Sequence, residues 1–148
     1  MIYIGADHRG YEKKVQLLEY FRKNDIPVQD SGAYVFSEDD DFNDTAIAVA
    51  KSVRKHPENL GILICGSAHG MIMQANRFKG IRAITATEAK LVKLGREHNN
   101  ANVLCLSADF LNLSEIEKLI KVFLTTKFKD EEKYIRRINR LDERGDYA

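Results

Sequence analysis

Residues 61–76 read GILICGSAHGMIMQAN, and this stretch decides the fold. Ile62, Leu63, Ile64 and Cys65 form an unbroken apolar run, the pattern of a strand buried on both faces, as in a parallel sheet. The chain then turns through Gly66-Ser67-Ala68-His69-Gly70, and Met71–Asn76 has the composition of the first turns of a helix. A strand that runs through a Gly-containing loop into a helix is an anion-binding device. Its loop amides are free to point at a ligand, and the helix N-terminus carries partial positive charge. Here a thiol, Cys65, stands at the entrance, with the Ser67 hydroxyl beyond it. The pairing predicts chemistry on an oxygen-bearing substrate.

Outward from this stretch, strands and helices alternate. Met1–Ala6 is a first strand, and Tyr11, Val15, Leu18 and Phe21 recur as the apolar stripe of a helix. Ile26–Gln29 is a weak second strand. Asn43 or Asp44 can cap a helix bearing Ala46, Ile47, Val49, Ala50 and Val53, which His56-Pro57 stops. Ile81–Thr85 is a strand, Glu88–Glu97 a helix with Leu91, Val92 and Leu94 inward, and Asn102–Leu106 the last strand. Ser114 with Glu117 predicts a capping box for the next helix. A final helix over about 133–143 carries Tyr134, Ile138 and Leu141 on one face. The alternation predicts an α/β fold: a Rossmann-like three-layer α/β/α domain on a five-stranded, mostly parallel sheet, with an extended C-terminal helix. Ligands of such sheets sit at the C-terminal ends of strands where the strand order reverses. The loops after the first strand (Asp7, His8) and the third (Cys65 to Gly70) meet that condition.

At 148 residues one domain with a full core is expected, spanning 1–148. With 23 basic and 22 acidic residues the net charge is +1, which gives no field to attract nucleic acid or an anionic membrane. Cys65 and Cys105 both lie in apolar runs and suggest no disulfide framework, so a reducing cytoplasm is the expected compartment. The N-terminal residues lack the pattern of a signal peptide, and no apolar run reaches membrane-spanning length. The loop is neither a dinucleotide fingerprint nor a nucleotide P-loop, and His and acidic residues show no zinc-type spacing, so neither cofactor nor metal is expected.

Each candidate has a structural competitor. Asp7 could simply hold the amides of a first helical turn, with His8 exposed beside it. Cys65 could be a small buried hydrophobe, but a helix N-terminus lowers a thiol pKa and favours a thiolate able to act as base or nucleophile. His69 could be a loop residue without a role. The run Ser37 to Asp41, SEDDD, reads as a solvated surface. His98 precedes a strand, which puts it at the opposite edge of its own sheet from the other candidates; it can join their chemistry in a site shared between two subunits. Otherwise it belongs to a helix C-terminus, with Asn99 or Asn100 in the left-handed cap position. Lys133, Arg137, Arg140 and Arg144 share one helical face, either solvated or a phosphate clamp.

These residues resemble the ribose-5-phosphate isomerase B family, which also holds the galactose-6-phosphate and allose-6-phosphate isomerases. The resemblance rests on IGADHRG at 4–10, GILICGSAHGMIMQANRFKGIRA at 61–83 and REHNNANVL at 96–104, and covers nearly the whole chain. It implies an aldose–ketose isomerase for a phosphorylated sugar, working without metal or cofactor as a homodimer, or a pair of dimers, with sites shared between subunits. By resemblance Cys65 is the base, Ser67 assists the oxygen-bound proton, and the amides from Gly66 through Ala68 and His69 to Gly70 stabilise an enediolate. His98 opens the ring, Asp7 and Asn99 lie near the hydroxyls, and His8, Lys133 and Arg137 hold phosphate. The expected substrate is ribose 5-phosphate; the alternatives are a hexose or modified sugar phosphate, or a non-catalytic binder. Departures from the family pattern are Asp41-Phe42-Asn43 for DYP, Ala68 for Gly, Asp109 for Arg, Tyr134 for His, and one extra residue between Phe128 and Lys133. A carboxylate at 109 would repel phosphate unless Arg9, Arg136 or Arg140 compensates.

Overall fold

The computed structural model describes residues 1–143, so Arg144 of the basic face lies outside the described residues. The elements run β1 (Ile2–Ala6), α1 (Tyr11–Lys23), β2 (Val28–Asp30), α2 (Phe42–Val53), β3 (Leu60–Cys65), α3 (His69–Ala75), β4 (Ala83–Thr85), α4 (Ala89–Asn99), β5 (Val103–Ser107), α5 (Leu113–Thr125) and α6 (Glu132–Asn139). The five strands form one sheet in the order β2-β1-β3-β5-β4, and every pairing is parallel. β1 registers on β3 from Ile2 opposite Leu60 to Ala6 opposite Ile64, and β3 on β5 up to Cys65 opposite Ser107. The order reverses between β1 and β3, which places the switch crevice beside Asp7 and Cys65.

Because successive strand residues face opposite ways, the sheet has two cores. Ile4, Ala6, Ile62, Ile64, Leu104 and Leu106 meet Leu17 and Phe21 of α1, Val92 of α4, and Ile116, Ile120 and Phe123 of α5. Leu63, Cys65, Val103 and Cys105 face Ala46, Val49, Ala50 and Val53 of α2 and Met71 and Ala75 of α3. The result is the expected three-layer arrangement. Each large apolar side chain taken fully out of water contributes about 1.5–3 kcal/mol to it. Among the described residues no helix is long and apolar enough to cross a membrane.

Several expectations are corrected. In α1 the buried stripe is Lys14, Leu17 and Phe21, while Val15 is exposed. Lys14 is drawn in because its ammonium donates to both carboxylate oxygens of Asp30, at 2.7 and 2.9 Å, and to the Ala33 carbonyl at 2.5 Å. The capping box of α5 is Asn112 with Glu115, not Ser114 with Glu117: the Asn112 side chain accepts from Glu115 N, and the Glu115 carboxylate accepts from Asn112 N. Helix α2 begins at Phe42, before either expected cap, and the Asn43 amide bonds Gln74 of α3 instead. Leu91 of α4 is exposed, and Gly95 takes an inward position with Val92. The C-terminal helix ends at Asn139, so Leu141 falls beyond it and is exposed.

Candidate active site

Asp7 lies one residue past β1, and its amide donates to the Ile64 carbonyl at 3.3 Å, continuing the ladder toward Cys65. Its Oδ1 accepts from the amides of Arg9 and Gly10, at 3.0 and 3.1 Å. The structural competitor for Asp7 is therefore partly realised: it organises the turn into α1. The side chain is also buried at the crevice, and that burial, more than its neighbours, raises its pKa above the usual carboxylate value.

Cys65 ends β3 with 5% of its surface exposed. The chain leaves it through Gly66 into a left-handed turn at Ala68, whose φ is +71°. Only glycine adopts that conformation without steric cost, which accounts physically for glycine at this position in the resembling family. The turn aims the amides of Met71, Ala68 and Ser67 at the Cys65 sulfur, and each lowers its pKa. Burial outweighs them, the Asp7 charge adds to it, and the net effect is to raise the thiol. The expectation of a depressed thiol pKa is thus corrected. A sequence reading sees the helix N-terminus but not the loss of water around the sulfur. In the free protein at neutral pH Cys65 is a thiol.

The loop is held from the β5 side. Ala108 N donates to the Cys65 carbonyl at 2.8 Å, and Ser107 Oγ donates to the Gly66 carbonyl at 2.6 Å. Ser107 had no sequence signal beyond closing an apolar run. Ser67 is exposed and its Oγ accepts weakly from His69 N at 3.4 Å. Ser67 and His69 line a cavity of 340 Å³ with Thr85, Thr87, Ser107 and Phe110, at the C-terminal ends of β3, β4 and β5. A Cβ on Gly70 would fall 2.7 Å from the Phe42 ring, so that glycine lets the N-termini of α2 and α3 meet over the crevice.

Beside Asp7, the His8 ring lies with Nδ1 2.7 Å from Asp40 Oδ1, and Arg9 pairs with Asp109. The hydrogen bond to Asp40 is the main reason that the His8 pKa is raised. Two cations next to each other in sequence are thus each matched by a carboxylate from a different loop. The acidic run expected to be solvated surface thus supplies, through Asp40, the partner of His8. For Asp109, Arg9 is the compensating cation.

The remaining candidates stand elsewhere. His98 and Asn99 end α4, before β5 begins at Val103, whereas Cys65 pairs with Ser107 at the far end of that strand. At about 3.3 Å per residue, the length of β5 alone separates the two edges by ~13 Å. The His98 ring stacks on Tyr134 with centroids 4.6 Å apart and planes 11° from parallel. Lys133 Nζ lies over the Tyr134 ring, 4.9 Å from its centroid, and 3.4 Å from Glu131. Arg137 follows one turn on along α6. The structure therefore assembles two groups: Asp7, His8 and Cys65 to Gly70 at the C-terminal edge of the sheet, and His98, Asn99, Lys133 and Arg137 at the opposite edge.

An all-parallel sheet with a thiol, a carboxylate, an imidazole and a run of loop amides gathered at its switch crevice has the layout of an α/β enzyme. A family model described as Ribose/Galactose Isomerase matches residues 2–141, and the chain belongs to that family and is an isomerase. It is 39% identical over 141 residues to the probable ribose-5-phosphate isomerase B of Mycoplasma genitalium, covering 95% of this chain and 92% of that protein. It is 33% identical to ribose-5-phosphate isomerase B of Mycobacterium tuberculosis, covering 96% and 88%. The crystal structure of the Mycoplasma genitalium isomerase with bound ribulose-5-phosphate superposes with a TM-score of 0.89 at 39% identity, over 95% of this chain and 92% of that one. The ribose 5-phosphate isomerase from Thermotoga maritima gives 0.91 at 35% identity, over 97% of each chain.

Proposed function

We propose that residues 1–148 form one isomerase domain that interconverts ribose 5-phosphate and ribulose 5-phosphate in the cytoplasm, without metal or cofactor. The reading is carried by the Cys65 sulfur, set in the amides of Ser67, Ala68 and Met71 at the switch crevice beside Asp7. The likeness to a relative crystallised with ribulose-5-phosphate supports it. His98 takes the proton of the C1 hydroxyl and returns one to the ring oxygen, giving the open-chain aldehyde. Cys65, reacting as its thiolate against the amides of Ser67, Ala68 and Met71, takes the proton from C2. The electron pair moves to the carbonyl oxygen as an enediolate, held by the loop amides from Gly66 to Gly70. Ser67 passes the proton between the two oxygens, and Cys65 returns its proton to C1. Asp7 and Asn99 bind hydroxyls, and His8, Lys133 and Arg137 bind phosphate.

The two separated groups of residues support a homodimer, alone or paired into a tetramer. In it His98, Asn99 and the α6 cations of one subunit complete the crevice of the other, with α6 packed on the partner. A second reading, a hexose or modified sugar phosphate, is favoured by Asp109, a carboxylate beside the loop. The deciding assay mixes the protein with ribose 5-phosphate without added metal and follows ribulose 5-phosphate. Turnover is expected; none at millimolar substrate, with turnover of a hexose phosphate, replaces the first reading by the second.

A further inference from the structure

Three consecutive aspartates, Asp39, Asp40 and Asp41, precede α2, and the structure gives them different surroundings. Asp39 and Asp41 are exposed, whereas Asp40 turns half-buried onto the loop that follows β1. One oxygen of Asp40, Oδ1, accepts from the His8 backbone N–H at 3.0 Å and lies 2.7 Å from His8 Nδ1. An ionised carboxylate can only accept, so Nδ1 carries the proton that points at it. The backbone bond fixes where His8 leaves the chain, and the ring bond fixes which way the imidazole faces. The His8 side chain keeps 30% of its surface, so it is not sealed off by Asp40.

We propose that Asp40 is a positioning residue: its carboxylate holds His8 by Nδ1 and leaves Nε2–H to meet the phosphate end of the substrate. This rests on the reading of the substrate as a sugar phosphate. An acidic loop would otherwise be an unfavourable neighbour for a dianion. Here its one inward carboxylate is spent on a cation, and its charge reaches the ligand through an imidazolium. The charged groups around the ring are Asp7 and Arg9 of its own loop and Asp40 from the loop before α2, with Asp109, after β5, held by Arg9. The Asp40 hydrogen bond, then the charges of Asp7 and Asp40, raise the His8 pKa, and burial and Arg9 oppose them. With the net shift upward, His8 remains a cation as pH passes the ordinary value of 6.5 and loses its charge only at higher pH. Without the Asp40 charge, loss of the cation moves to lower pH.

The test is an NMR titration of the His8 ring in the full chain, assigned with His8→Asn, with and without inorganic phosphate. In the wild type the His8 midpoint should lie above 6.5, and phosphate should shift the resonance and raise the midpoint further. Asp40→Asn should lower the midpoint and weaken phosphate binding about tenfold near neutrality, and much less in mild acid where both rings are charged. Asp39→Asn, which removes an adjacent exposed carboxylate, should change neither. Asp40→Glu keeps the charge but displaces it by a methylene, so it should keep a raised midpoint while losing phosphate affinity. An Asp40→Asn protein with wild-type midpoint and affinity overturns the proposal, as does a wild-type ring that ignores phosphate. Turnover of ribose 5-phosphate is read separately: its absence while phosphate still perturbs His8 removes the isomerase substrate but leaves the Asp40 role standing.

Discussion

Arg9 and Asp109 meet directly over Gly66: Nε and Nη2 of the arginine lie 3.0 and 2.5 Å from the same Asp109 oxygen, Oδ2. A Cβ on Gly66 would fall 2.7 Å from Arg9 Nε and 3.0 Å from that carboxylate oxygen. The pair bridges the loops after β1 and β5 across the end of β3. Lys13 of α1, donating to the Ala108 and Leu111 carbonyls, is a second tie to the segment after β5. Because both side chains are substantially exposed, the pair shapes the field at the crevice more than it stabilises the fold.

The two halves of that pair should therefore have opposite kinetic effects. Asp109→Asn removes a negative charge at the crevice and should lower KM for ribose 5-phosphate several-fold, with kcat and Tm little changed. Arg9→Met exposes the carboxylate and should raise KM by about tenfold or more, an effect that shrinks as salt screens the charges. Equal KM values for the two variants, measured at low and high ionic strength, would show that the pair has no electrostatic influence on substrate.

The two thiols predict how stability responds to alkali. Cys105 is fully buried and its pKa is pushed far up by that burial, with Cys65 also raised. In the unfolded chain both ionise near the ordinary value of 9.0, while in the native state they hold their protons. The folded state then binds more protons, so the stabilisation is complete below pH 9.0 and declines as pH rises toward the folded values. Cys105 contributes a slope of up to about 1.4 kcal/mol per pH unit in that window, and Cys65 acts in the same direction. Denaturant unfolding at increasing pH should show the decline, and Cys105→Ala should reduce its slope. Iodoacetamide should likewise react with native Cys65 more slowly than with a small-molecule thiol at the same pH.

What could be read from the residues alone divides along physical lines. The run Ile62 to Cys65 was legible because a strand covered on both faces needs consecutive apolar residues, and its pairing with a Gly-containing turn located the crevice. The placement of β5 between β3 and β4 was not legible, because lateral order depends on which faces the crossover helices cover, not on any local pattern. Lys14 was missed because a hydropathy stripe prefers Val15, and only Asp30 in space makes burial of an ammonium tolerable. Asp40 was missed for the matching reason: an acidic run looks solvated until the imidazole it faces is known. The direction of the Cys65 shift was misread because dipoles are local in sequence and desolvation is not.

Lys14 gives a stability prediction with an asymmetry. Its side chain is 1% exposed, sits 5.5 Å from the Tyr11 ring centroid and 5.8 Å from that of Tyr34, and is matched by Asp30, which retains 29% of its surface. Asp30→Ala strands a buried ammonium and should cost about 3–5 kcal/mol. Lys14→Met leaves a carboxylate that still reaches water and accepts from Gly32 N at 2.9 Å, so it should cost less, about 1–3 kcal/mol. Urea unfolding of both variants checks the order; a greater loss in Lys14→Met would mean that the aliphatic stem and ring contacts outweigh the buried charge.

The distance between Cys65 and His98 supplies the last prediction. The two residues belong to opposite edges of one sheet, and His98 is steadied there by Tyr134 of α6. If a crevice is completed by its neighbour, Cys65→Ala and His98→Ala chains are each inactive for want of a different residue. A mixed dimer of the two has one crevice with both residues intact and one with neither. Random exchange of equal amounts makes about half of the dimers mixed, so activity should recover to about one quarter of the wild-type level. Exchange is followed independently by native mass spectrometry of chains carrying distinguishable tags. Mixed dimers without recovered turnover would place both residues in one subunit's site and overturn the shared crevice. Tyr134→Phe keeps the stacking ring and should retain activity, whereas Tyr134→Ala frees the imidazole and should lower kcat by about tenfold, since the ring-opening proton transfer needs a held acid–base group.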